Sequence, residues 1–188
     1  MTNLPDRQGD LPSEFPKQTL QQNADRIYNI EQANNVNNIV NYVPARINLS
    51  PTEYYNLFIL YGEKYENESF NLRNDRIFEY TTTAIKNKFS FFTLEDIDEI
   101  ISLPTLFLPE YNEYDQNIKK GFLGRLVDID KTDSNGISRF YFQKEKVIDL
   151  ESLVTFKSEL MIEEWELSRT HWAIKRANIQ SIVGNIVD

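Results

Sequence analysis

The chain holds one histidine and no cysteine, so acid–base or nucleophilic chemistry has to be built on His171 or on the acidic side chains. No thiol nucleophile, disulfide framework or His-rich zinc site can be assembled from that set. His171 stands in the run Arg169-Thr170-His171-Trp172, and an arginine beside a histidine invites comparison with ribonucleases that carry the pair on one helix face. Positions 169 and 171 lie roughly 200° apart on a helix of about 3.6 residues per turn, so the spacing opposes that use. A hydrogen-bonded interface histidine fits better, and a hydrolase built on it would lack a GxSxG elbow. Asp128, Asp130, Asp133 and Asn135 ahead of Gly136 imitate a calcium loop. Placing Gly136 at the sixth position puts Lys131 first and Phe142 last, which removes two required ligands. The runs Glu95-Asp96-Asp98-Glu99 and Glu163-Glu164-Glu166 read as helix starts or solvated faces. There is no GxGxxG or GxxxxGK[ST] loop for a nucleotide phosphate. The expectation is a protein without catalytic residues, metal or cofactor.

Charge narrows the partners. Twenty basic against 29 acidic side chains give a net charge of −9, which raises the cost of approaching a phosphate backbone. Between Asp115 and Lys146 the balance reverses, seven basic to five acidic, which makes that segment +2 and the remainder −11. Lys119, Lys120, Arg125, Lys131 and Arg139 are the candidate phosphate contacts there, opposed by Asp128, Asp130 and Asp133. The start, MTNLPDRQGDLPSEFP, lacks the basic and apolar regions of a signal peptide, and no run of 18 apolar residues occurs. A cytoplasmic protein with no membrane contact is expected.

The elements that must position these residues read as follows. Residues 1–21 are proline-rich and aperiodic, a flexible tail. Residues 22–43 spread Ile27, Tyr28, Ile30, Val36 and Ile39 through a run of asparagines, a short β-forming element that needs a partner sheet or a second copy to persist. The remaining domain, 44–188, reads as helical. Ser50 and Pro51 open a helix carrying Tyr54, Leu57, Phe58 and Tyr61, which Gly62 ends. A second runs from about Asp75 through Ile77, Phe78, Thr81, Ala84 and Ile85. Thr93 and Asp96 form a near capping box for a third, with Leu94, Ile97, Ile100 and Ile101, stopped by Pro104. A fourth, from about Asp115, presents Ile118, Phe122 and Leu126 inward and Lys119, Lys120 and Arg125 outward. Asn135-Gly136 between two apolar runs then signals a hairpin. Helix, helix, helix, hairpin is the order of a winged helix. Leu150 to about Ala177 reads as the longest helix, with Leu153, Phe156, Leu160, Leu167 and Ile174 on one stripe and Met161, Trp165 and Trp172 beside it.

Two stretches carry a resemblance. IYNIEQANNVNNI, from Ile27 to Ile39, resembles short elements preceding modules of bacterial antiphage conflict systems, of the NACHT-type and three-component ABC-ATPase, Lamassu-like, kinds. INLSPTEYYNLFILYGEKY and LSRTHWAIKRANI are similar to small accessory modules of those systems. The resemblance implies an antiviral-defence component that contacts a larger ATPase or effector, and it carries over no catalytic residue.

The sequence therefore predicts a mainly α fold with a small β component, containing a winged-helix-like unit. Its expected function is scaffolding by protein–protein interaction or oligomerisation. Ile27, Tyr28, Ile30, Val36 and Ile39 would form the assembly edge, and Trp165, His171 and Trp172 the anchors. The alternative is a winged-helix DNA-binding regulator. Behind it stand an immunity-type inhibitor and a small effector enzyme resting on His171.

Overall fold

A computed structural model describes residues 47–62, 65–111, 120–132 and 136–187. The chain divides into two units, Met1–Pro44 and Ala45–Asp188, and every described residue belongs to the second. The Asn-rich element with Ile27, Tyr28, Ile30, Val36 and Ile39 lies outside the described residues, as does Lys119.

The fold is mainly β, not mainly α. Its frame is a six-stranded mixed sheet in the order β2-β5-β4-β3-β1-β6, with β1 at Tyr55–Leu60, β2 at Ser69–Arg73, β3 at Pro104–Pro109, β4 at Lys120–Thr132, β5 at Ile137–Asp149 and β6 at His171–Lys175. Four short helices complete it: α1 Thr83–Lys88, α2 Leu94–Ile101, α3 Leu150–Thr155 and α4 Ile179–Val187. β1 and β3 pair in parallel, and the other neighbours are antiparallel.

Each failed helix has a physical reason. YNLFIL is apolar on both parities, and β1 is buried along its whole length because both faces of the central sheet are covered. A continuous short apolar run of that kind reads equally as a buried strand or a helix segment. Gly62 does end the element, but at φ +63 it turns the chain out of a strand. The expected fourth helix is the arm of β4: a spacing of four, as in Phe122 and Leu126, satisfies the strand period of 2 as well as the helical one. The long helix from Leu150 is broken into α3, a 3-10 turn at Glu164–Ser168 and β6. Its break holds Met161 at φ +58, with no glycine or proline to announce it. With a strand in place of the helix next to the hairpin, the winged-helix unit does not exist.

Two of the local signals hold. α2 carries a full capping box, Thr93 Oγ1 accepting from the Asp96 amide and Asp96 Oδ2 accepting from the Thr93 amide. β4 and β5 form the hairpin, and Gly136 takes the φ of +63 its turn requires. From Ser50 to Tyr54 only a turn forms, and α1 begins eight residues after the expected start at Asp75.

The core lies on both faces of the sheet. On one, cross-strand partners Phe107, Phe58 and Trp172 stack side by side, with centroids 5.8 Å apart between Phe58 and Phe107 and 5.3 Å between Phe58 and Trp172. Ile85, Phe89 and Ile100 from α1 and α2 close over them. On the other face Leu57, Ile59, Leu106 and Ala173 meet Leu153, Leu167, Ile179 and Val183. Among the described residues no helix is long and apolar enough to cross a membrane.

Candidate functional site

β6 alternates, so His171, Ala173 and Lys175 share one face of the sheet while Trp172 and Ile174 share the other. The chain enters β6 from the 3-10 turn, and that turn brings Glu166 beneath His171 and Lys175. All three side chains are buried: Glu166 is 1 %, His171 0 % and Lys175 7 % exposed. The Lys175 ammonium straddles the carboxylate at 2.7 Å from each oxygen, with hydrogen-bond geometry to Oε1. His171 Nε2 faces Glu166 Oε2 at 3.4 Å, and neither atom completes a hydrogen bond among the described residues. The other ring nitrogen, Nδ1, lies 2.6 Å from the Arg169 carbonyl oxygen. Burial by itself pushes the Glu166 carboxyl up, but the contacts and charges of His171 and Lys175 outweigh it and hold the group below the usual carboxylate range. On β1, burial and then the Glu166 charge push the Tyr55 hydroxyl well up, so it stays neutral and donates to the Leu160 carbonyl at 2.7 Å.

A lid of aromatic and charged side chains lies over this cluster. Tyr80, held at φ +61, sets its ring edge-on to His171 at 4.9 Å and to Trp165 at 4.4 Å. Its hydroxyl donates to Glu79, which also receives Arg76 in a bidentate pair and Arg169 at 3.0 Å. Burial raises the Glu79 carboxyl, and the bonds from Arg76 and Tyr80 with the two arginine charges more than reverse it. The Arg169 guanidinium lies 5.9 Å from the Tyr80 ring centre. Thr170 donates to Glu110 and accepts from the Tyr61 amide, which ties the entry of β6 to the end of β1. Trp165 stays 50 % exposed and Met161, before the turn, 58 %.

Of the expected anchors, the structure brings Trp165 and His171 into this neighbourhood and takes Trp172 away. Trp172 is wholly buried on the opposite face and donates through Nε1 to Asn56. The His171 side chain is wholly buried. The basic residues do not converge. Arg125 is bound to Gln143 and paired with Glu145, Arg139 is bound to Asn71 and stands opposite Asp130, and Lys131 lies on the other sheet face over the Phe92 ring. Lys120 is exposed at the far end of β4, opposite Asp149. Among the described residues no three histidine or acidic side chains gather to hold a metal. Sequence reasoning missed Lys175, Glu79, Tyr80 and Arg76, and it assigned Glu166 to a solvated face where the side chain is buried. The period-2 run His171, Ala173, Lys175 was the signal available for Lys175, hidden by reading the segment as helix.

No family model, curated protein or solved structure matches the chain.

Proposed function

We propose that the protein is a non-enzymatic docking component of a bacterial defence complex, engaging a larger ATPase or effector through the face that carries Trp165. The observation that carries this reading is the division of the site into a sealed interior and an exposed aromatic. The titratable cluster of Glu166, His171 and Lys175 is buried, whereas Trp165 stands half in water on the fixed ring of Tyr80. A large aromatic held on a pre-ordered platform loses little entropy on binding, which is the property of interface anchors. The resemblance of the Ile27–Ile39 stretch and of LSRTHWAIKRANI to antiphage modules supports the class of partner. For the Asn-rich element, pairing with a partner or a second copy is supported by its sequence.

The test is co-purification of the full chain from its host with an ATPase or effector subunit, followed by affinity measurement on the complex. Trp165→Ala is expected to weaken binding by about 30-fold or more, the loss of an anchor worth about 2 kcal/mol. A complex that tolerates Trp165→Ala would remove the Trp165 face from the proposal. A turnover activity that His171→Ala abolishes in a folded protein would overturn the non-enzymatic reading.

A further inference from the structure

The hydrogen positions around His171 follow from its two contacts. Nδ1 sits 2.6 Å from the Arg169 carbonyl, a separation that requires a proton on the nitrogen because a carbonyl oxygen only accepts. Nε2 sits 3.4 Å from Glu166 Oε2 in a site without solvent. An imidazole with a single proton must leave a lone pair facing oxygen on one side or the other. If Nδ1 holds it, Nε2 repels the carboxylate; if Nε2 holds it, Nδ1 repels the carbonyl. Only the imidazolium suits both contacts, and a short movement of the ring then completes the bond that Glu166 Oε2 lacks.

We propose that His171 carries two protons in the folded protein and that the proton on Nε2 is a latch holding the Glu164–Ser168 turn against β6. The groups facing the ring come from four elements. The turn supplies the Glu166 carboxylate, and β6 supplies the Lys175 ammonium on that same carboxylate. β1 supplies the neutral Tyr55 hydroxyl, committed to the Leu160 carbonyl. The segment before α1 supplies the Tyr80 ring, with Glu79 and Arg76 behind it and the Arg169 guanidinium turned away to Glu79. Two positive charges therefore share one buried carboxylate, an arrangement that a rise in pH relieves by taking a proton from His171. Its loss turns the 3.4 Å contact into repulsion between a lone pair and a carboxylate in a low dielectric. The weakest attachment is the turn itself, and Trp165 leaves with it. The latch is thus closed at lower pH and opens as pH rises. It is a property of the fold and stands whether or not Trp165 binds a partner.

Because the chain has one histidine, nitrogen NMR of the full chain labelled in histidine reads His171 alone. Between about pH 5 and 9, where an imidazole titrates and carboxylates do not, two protonated ring nitrogens are expected at the lower end. The loss of one proton should then coincide with lower amide protection factors in residues 164–168, each rate being divided into the intrinsic rate at the same pH, and with stronger quenching of Trp165 by acrylamide, Trp172 being buried. A singly protonated ring throughout that range would overturn the proposal. So would a titration that leaves the protection of the turn unchanged. In His171→Phe the protection factors should lose their dependence on pH; if that variant does not fold, the measurement on the wild-type protein still decides.

Discussion

Trp172 Nε1 donates to Asn56 Oδ1 across 3.1 Å inside the larger hydrophobic core, and Asn56 Nδ2 donates onward to the Ile100 carbonyl at 2.9 Å. The amide thus ties β6 to β1 and β1 to the end of α2 with both of its ends used. Asn56 is wholly buried, so its removal strands the Trp172 donor in apolar surroundings, while the Ile100 carbonyl keeps the Leu103 amide at 3.2 Å.

Asn56→Ala is therefore expected to destabilise the domain by about 2–4 kcal/mol, one orphaned buried donor at about 1–3 kcal/mol together with the lost bond to Ile100 and the small cavity. Urea unfolding followed by tryptophan fluorescence measures it. A loss under about 1 kcal/mol would mean that water enters and replaces both bonds.

The Glu166 carboxyl sets the acid limit of stability. Its folded-state value lies below the ordinary carboxylate range, so its contribution is fully present above the unfolded-state value and is lost as pH falls through the folded one. Glu166→Gln is expected to cost about 3–5 kcal/mol at neutral pH, because the Lys175 ammonium is left buried without its counter-charge. Stability of that variant should also fall less between about pH 5 and 3 than that of the wild type. Urea midpoints measured across that range check both statements, and parallel acid limbs in the two proteins would locate the acid sensitivity elsewhere.

Gly124 is a position of close approach. A Cβ built there stands 2.0 Å from the Gln143 carbonyl oxygen, which is backbone of the paired strand, at a point where the β4–β5 register shifts. Gly124→Ala is expected to cost about 2 kcal/mol or more, since the ladder itself has to move. At Gly121 the nearest atom is the end of a leucine side chain, Leu108 Cδ2 at 2.6 Å, and only then backbone at 3.3 Å. Gly121→Ala should cost visibly less, and thermal midpoints of the two variants side by side test the order.

How far the sequence could be read depended on whether a signal was local. The Thr93–Asp96 box and the hairpin signalled by Asn135-Gly136 are decided by a few adjacent residues, and the box and the β4–β5 pairing are both present. β1 and β6 are decided by what covers them. Leu57 and Phe58 lie on opposite faces of a sheet whose two sides are both packed, and nothing within YNLFIL distinguishes that from a helix stripe. At the site, Trp165 and His171 drew attention by residue type. Glu166 reads as part of a solvated face, because in the string Glu163-Glu164-Trp165-Glu166 three like residues share a label while only one is buried. Its partner Lys175 comes from a strand that the helical reading had erased.

The docking reading separates two exposed apolar regions. Phe91 and Leu94, at the corner between α1 and α2, are 86 % and 78 % exposed, more than Trp165 at 50 %. Exposure alone would rank them first, but Phe91 makes no ring–ring contact among the described residues, and side chains free in water pay rotamer entropy when they dock. Trp165 is already fixed against Tyr80, so burial of its open half meets a smaller cost. Phe91→Ser is expected to change stability by less than about 0.5 kcal/mol and to leave partner affinity unchanged. Trp165→Ala is expected to cost about 1–2 kcal/mol of stability, from the half-buried ring and its contact with Tyr80, and most of the affinity. Titrations of both variants against the same partner, beside their urea midpoints, make the comparison. Loss of binding in Phe91→Ser with binding retained in Trp165→Ala would move the docking face to the α1–α2 corner, since contact area would then outweigh the advantage of a pre-ordered ring.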